Sequence, residues 1–276
     1  MTQEEPEATP IIEPQVKAVG GHFRILLVED NAVNQKLAVR LLEKMGHHVA
    51  LASNGAAACE ALCAATYDIV LMDLQMPVMG GLEATCKIRE REQHSGRHVP
   101  ILAMTAHAAA QDEKRCLEAG MDGYLTKPIR REVLRKEIDR AVTQSGSSGN
   151  WEEPASHSEL SEAEWNVREL LQRLEGDQDL LRELLQLFRA DSQTALMKAR
   201  KALAQEDLVE VSRTAHTLKG MLKNLSMNAG AELAAALETA ARNGARGEAE
   251  ALFQRLDRSL AGILPQVEMH LAEVRA

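Results

Sequence analysis

The sequence predicts an α/β domain built on a five-stranded parallel sheet wound on both faces, followed by an all-helical domain. Three observations carry this expectation. Between Phe23 and about Thr143, short apolar runs alternate with longer amphipathic stretches, the pattern of buried parallel strands and their covering helices. Two of those runs end in acids, Glu29–Asp30 and Asp73. From about Leu160 onward the strand-like runs stop and only long helical segments remain.

Arg24–Val28 is a compact apolar run and reads as the first strand. Asn31 to Met45 then places Val33, Leu37, Leu41 and Leu42 on one helical face, with Gly46 as the stop. His48–Ala52 reads as the second strand, and an alanine-rich helix starts near Asn54. Asp68–Met72 is the third strand, with Asp73 at its carboxyl end. Helix Leu82–Arg91, strand Pro100–Met104, helix Ala108–Ala119, strand Gly123–Leu125 and helix Ile129–Val142 complete the series. Right-handed crossovers leave few topologies for such a chain, and sites in these sheets form just beyond the carboxyl ends of the strands.

Outside this domain, residues 1–22 read as a disordered leader. Residues 144–159, Ser/Gly-rich and then acidic, read as a flexible linker. Residues 160–276 form four or five helices, with breaks expected near Gly176, Glu206–Asp207, Gly230 and Asn243–Gly244. Short connections between them imply an antiparallel bundle.

Composition narrows the function. At 276 residues the chain accommodates two domains, each with its own core. A net charge of −9 argues against nucleic acid or an anionic membrane as partner, and 3% aromatics against base-stacking surfaces. No run approaches the ~18 apolar residues of a membrane span. The chain itself is therefore expected to be cytoplasmic and to make no membrane contact, although it suits the cytoplasmic tail of a membrane-anchored protein. The four cysteines, Cys59, Cys63, Cys86 and Cys116, form no CxxC pair and read as small packing residues in a reducing compartment. No Walker-type GxxxxGK[ST] run occurs, so the chain alone is not expected to consume ATP.

If the first and third strands are neighbours, Glu29, Asp30 and Asp73 converge. Any one of them alone reads as a solvated loop acid; together they repel, and a hard divalent cation such as Mg²⁺ relieves the repulsion. Thr105, at the end of the fourth strand, adds a hydroxyl, and Lys127, after the fifth, an ammonium. The four segments Val28-Glu29-Asp30-Asn31, Met72-Asp73-Leu74-Gln75-Met76-Pro77, Thr105-Ala106 and Lys127-Pro128 resemble the receiver domain of two-component response regulators, in order and spacing. That resemblance implies the flavodoxin-like strand order 2-1-3-4-5. It implies Asp73 as phosphoacceptor, Asp30 as direct Mg²⁺ ligand, Glu29 acting through metal-bound water, and the Gln75 carbonyl as a further ligand. Thr105 and Lys127 would hold phosphoryl oxygens, Tyr124 would be the aromatic switch, and Lys127–Pro128 would be cis. Gly80 stands where the family often carries aspartate.

Of nine histidines, most look incidental, and His47, His48, His94 and His98 flank turns. His107, close to Thr105, reads as a surface residue, with control of water access as its alternative. His216 differs. At ~100° per residue, Val211, Leu218, Leu222 and Leu225 cluster on one side of a helix, and His216 falls opposite. Arg213, Lys219, Gly220 and Lys223 are expected to share its exposed face. Neutral imidazole is a competent nucleophile near pH 7, the lysines can balance an incoming phosphoryl group, and Gly220 leaves room for a docking partner. The run His216-Thr217-Leu218-Lys219-Gly220 resembles the core motif of histidine phosphotransfer (HPt) domains, which implies a four-helix bundle. Met221 and Leu222 replace the small residues usual after that glycine.

The two resemblances together imply a phosphorelay protein of the kind found at the C-terminus of hybrid sensor histidine kinases. A histidine kinase or kinase module would act upstream and another receiver downstream. Two other functions stay open. One is a phosphorylation-switched binding scaffold without relay through His216. The other is an aspartate-nucleophile phosphatase, which would want a second acid where Gln75 stands.

Overall fold

A computed structural model describes residues 22–105, 110–143 and 165–273. Residues 1–21 of the expected leader, the whole of the expected linker, Ala106 and His107 lie outside the described residues. The first domain alternates strand and helix: β1 (Arg24–Val28), α1 (Ala32–Lys44), β2 (His48–Ala52), α2 (Gly55–Ala64), β3 (Ile69–Asp73), α3 (Gly81–Ser95), β4 (Ile101–Thr105), α4 (Ala110–Glu118), β5 (Gly123–Thr126) and α5 (Arg131–Thr143). The sheet is parallel throughout, in the order β2-β1-β3-β4-β5. Central strands β3 and β4 are buried over their whole length, whereas edge strand β2 leaves Leu51 exposed. That difference is the one expected between strands covered on both faces and a strand at the rim.

Local chemistry starts the helices where the sheet needs them. The Asn31 side chain caps α1 by accepting from the Asn34 N–H at 3.0 Å, and Asn54 caps α2 by accepting from Ala57 N–H at 3.0 Å. Gly81, at the start of α3, lies so close to the strand end that a Cβ there would collide with the backbone carbonyl of Asp73. The helix following the phosphoacceptor candidate can thus begin directly over it.

Five helices follow: α6 (Val167–Arg173), α7 (Gln178–Ala204), α8 (Leu208–Asn224), α9 (Asn228–Arg242) and α10 (Arg246–Glu273). The four long ones pack as a bundle around α8, which lies against both α7 and α9. Asp177 and Asp207 cap α7 and α8, so those two breaks fall where expected. The break expected near Gly230 falls earlier. The chain turns at Ser226, whose φ is 55°, and Gly230 lies inside α9 against Leu222. A glycine there serves close helix packing and does not end the helix. Met221 and Leu222, the departures after the HPt-like glycine, are fully buried.

The two domains touch. Helix α1 packs against α7 and α8, and the apolar core under α1 and α5 is continuous with the core of the bundle. Ion pairs frame the contact: Lys36 with Glu183 at 2.6 Å, Lys44 with Asp177 at 3.0 Å, and Arg131 with Glu175. At its centre, Asn224 Nδ2 donates to Asn34 Oδ1 at 2.7 Å, and a Cβ at residue 220 would stand 3.2 Å from Asn34 Nδ2. A side chain at Gly220 would crowd the Asn34 amide, which would have to shift.

The core predicts its own sensitivity. Leu71→Ala, in the centre of β3, should destabilise the chain by about 2–5 kcal/mol through lost burial and a residual cavity. Leu51→Ala, on the exposed edge, should stay within about 0.5 kcal/mol. Urea unfolding followed by circular dichroism checks both values.

Candidate functional site

Strand ends bring the acids together, as the β1–β3 pairing requires. Glu29 and Asp30 follow β1, Asp73 closes β3, and their carboxylate oxygens lie within 4.8 Å of one another. Glu29 and Asp73 are buried and Asp30 is partly open. Lys127, itself buried, reaches between them: its Nζ stands 2.6 Å from Glu29 Oε2 and 2.5 Å from Asp73 Oδ2. The loop that carries Lys127 is tied to β4 by Lys127 N–H donating to Thr105 O at 2.7 Å, and the Lys127–Pro128 bond is cis. Gln75 N–H donates to Asp73 Oδ1 at 3.2 Å, which sets that carboxylate's orientation. Thr105 is buried beside the pocket, and Tyr124 is half-buried on β5.

Charge balance follows from this geometry. Burial pushes the Glu29 carboxyl up to about 8, against the pull of Lys127. Asp30 is raised, first by burial and then by the Asp73 charge. Asp73 is also penalised by burial, yet Lys127 and then His216 bring its carboxyl below the ordinary range. The Lys127 ammonium, despite burial, is held protonated by Asp73 and Glu29. With Glu29 drawn toward its protonated form, Asp30 and Asp73 still face a single ammonium, in a pocket of oxygen donors only. That donor set fits a hard divalent cation, with Glu29, Asp30 and Asp73 positioned to hold it.

His216 lies on α8, near enough to the pocket that a positive charge on its ring would lower both Asp73 and Asp30. Its Nδ1 is 3.1 Å from Glu238 Oε1, a residue of α9 that the sequence reading missed. Glu238 also accepts from Lys219 Nζ at 2.6 Å and from Arg242 Nη2 at 2.7 Å. Burial alone would raise the Glu238 carboxyl, but His216 and Lys219 hold it down at about 2. An ionised carboxylate can only accept, so Nδ1 is the donor toward Glu238, and in the neutral ring the lone pair lies at Nε2.

The expectation of one exposed face for His216, Lys219, Gly220 and Lys223 requires correction. Lys219 is 1% exposed, His216 and Lys223 are half-buried, and Gly220 is buried. The reason is twofold: α9 supplies Glu238 as a buried counter-charge for Lys219, and the first domain covers the His216 side of α8. Only Arg213 of that group is exposed, paired with Glu210. Glu238 left a trace in the sequence, because it interrupts the apolar stripe Ala231, Ala234, Leu237 and Ala241 on α9. Asn34 and Asn224 left none beyond an amide on a buried face. Of the cysteines, Cys59 and Cys116 pack inside, while Cys63 and Cys86 are exposed.

Known proteins place this arrangement. Residues 25–139 match the response regulator receiver domain, and residues 183–276 match the Hpt domain. Sensor histidine kinase GacS of Pseudomonas protegens is 37% identical over 207 residues, which are 72% of this chain and 22% of that protein. Hybrid signal transduction histidine kinase I of Dictyostelium discoideum is 44% identical over 124 residues, 43% of this chain and 7% of that protein. The chain therefore spans a small part of the length of these curated relatives.

Among solved structures, the receiver domain of sensor histidine kinase PA1611 from Pseudomonas aeruginosa PAO1, with magnesium coordinated in its active site cleft, is 42% identical. It covers 44% of this chain and 98% of its own, with a TM-score of 0.41. The co-crystal structure of the Saccharomyces cerevisiae phosphotransfer protein Ypd1 with the receiver domain of Ssk1 is 33% identical, covering 45% of this chain and 91% of its own, with a TM-score of 0.43. The chain belongs to the response regulator receiver family and, behind that domain, to the Hpt family, the order found in hybrid histidine kinases.

Proposed function

We propose that the chain is a two-station phosphoryl carrier in a phosphorelay. Residues 23–143 act as the receiver, residues 160–276 as the Hpt domain, and residues 144–159 as the linker between them, behind a leader at 1–22. The observation that carries this reading is the packing of α8, with His216 held by Glu238, against α1 at the edge of the acid pocket. A binding scaffold has no need of a nucleophilic imidazole at that place, and Gln75 removes the second acid that a phosphatase would use.

In this reading an upstream histidine kinase module donates to Asp73. A carboxylate oxygen of Asp73 attacks phosphorus and the phosphohistidine N–P bond breaks. Mg²⁺ held by Glu29, Asp30, Asp73 and the Gln75 carbonyl would supply charge compensation for the phosphoryl oxygens. Lys127 and the Thr105 hydroxyl hold those oxygens from the protein side, and Tyr124 reports the occupied state.

His216 Nε2 then attacks the same phosphorus, and the Asp73 carboxylate leaves. No proton needs to move. The ring becomes a phosphoimidazolium whose positive charge rests against Glu238, with Lys219 and Arg242 completing the network. The same charge makes the ring a good leaving group for a downstream receiver. Catalysis is positioning and electrostatics. Among the described residues no helix is long and apolar enough to cross a membrane. We place the chain in the cytoplasm, as a piece of a hybrid kinase or beside one.

Asp73→Asn should abolish labelling of the receiver by acetyl phosphate, measured by phosphate-affinity electrophoresis; undiminished labelling removes the phosphoacceptor. His216→Gln should retain labelling of Asp73 and lose passage to a downstream receiver, read by radiolabel transfer. Glu238→Gln should slow transfer from Asp73 to His216 by about 10–100-fold, the worth of a charge-assisted hydrogen bond. Quench-flow on the labelled chain measures that rate, and an unchanged value would reduce Glu238 to a packing role.

A further inference from the structure

The side chain of Asn34 joins the two domains at the edge of the acid pocket. Its Nδ2 donates to Glu29 Oε1 at 2.9 Å, and its Oδ1 accepts from Asn224 Nδ2 at 2.7 Å. All three residues are buried. An amide presents its donor and its acceptor on opposite sides, so the edge turned to Glu29 fixes the edge turned to α8.

Glu29 is oriented completely by such contacts. Oε2 accepts from Lys127, while Oε1 accepts from Asn34 Nδ2 and, at 3.3 Å, from the Asn31 N–H. On the other side, the Asn224 backbone carbonyl accepts from Arg173 Nη2 at 2.8 Å, which fixes the end of α8. Its Oδ1 is buried with no hydrogen-bond partner among the described residues. The Asn224 amide is therefore held by Asn34, at the cost of an unsatisfied oxygen.

We propose that Asn34 is a positioning residue that couples the seating of α8 to the orientation of Glu29, so that Asn224, in the Hpt domain, tunes how tightly the receiver holds its divalent cation. The proposal rests on the reading of Glu29, Asp30 and Asp73 as the cation site. Coupling of this kind is reciprocal: the cation tightens docking by the same factor that docking tightens the cation. With Asn224 removed, Asn34 is free to rotate, and its oxygen can turn toward Glu29. With aspartate at 224, Asn34 is driven to turn its nitrogen to α8, which sets oxygen against oxygen at Glu29.

The test is calorimetric titration of Mg²⁺ into the full chain, unmodified and as Asn224→Ala, Asn224→Asp and Lys87→Ala. Loss of a hydrogen-bond partner behind a ligand commonly weakens a metal site about 10–100-fold, and Asn224 acts one bond further out, so about three- to tenfold weaker binding is expected for Asn224→Ala. Asn224→Asp should weaken binding at least as much. Lys87→Ala breaks an exposed pair with Glu83 within α3, away from the domain contact, and should leave the affinity within about twofold. In the Mg²⁺-free chain, the Asn34 side-chain amide resonances should shift in both Asn224 variants. Where the alanine variant fails to fold, Asn224→Ser reads the same quantity. Unchanged affinity in the Asn224 variants, or an equal loss in Lys87→Ala, overturns the coupling alone. Absence of Mg²⁺ binding by the unmodified chain overturns both the coupling and the cation site beneath it.

Discussion

The burial of three acids side by side at neighbouring strand ends is the constraint on which the rest of the structure turns. Parallel strands β1 and β3 set Glu29, Asp30 and Asp73 side by side, and burial makes their repulsion expensive. Lys127 relieves part of it from across the sheet, which ties β5 to β1 and β3 through one ammonium. The remaining negative charge makes the pocket receptive to a cation.

The helical domain solves the opposite problem. It sets an imidazole beside a counter-charge that can support positive charge on the ring. A single buried carboxylate, Glu238, does this by accepting from His216, Lys219 and Arg242 together. The counter-charge serves the ring only because Lys219 also stabilises it as an anion. The lysine of the His-Thr-Leu-Lys-Gly run therefore acts behind the histidine, where the helical wheel alone would have set it in solvent.

Much of this was legible in the sequence because it is local. The apolar runs 24–28 and 48–52 became β1 and β2 with the same bounds, and Asn31, Asn54 and Asp207 lie at the helix starts that their capping chemistry favours. The strand-end acids converged because strand pairing leaves them little choice. The rest depended on partners remote in sequence. Glu238 gives Lys219 its buried place from 19 residues away, and Asn34 meets Asn224 across 190 residues. Gly230 misled for a related reason: a glycine looks alike in sequence whether it ends a helix or lets Leu222 nestle against one.

Gly220 carries the last consequence. By leaving α8 bare one turn from His216, it seats α1 of the chain's own receiver against that helix. A tethered occupant is present at high effective concentration, and a free rival contends with it at every encounter. On the proposed relay, the imidazole serves one receiver at a time. The histidine's doorway is a turnstile, and its throughput depends on how readily the resident domain steps aside.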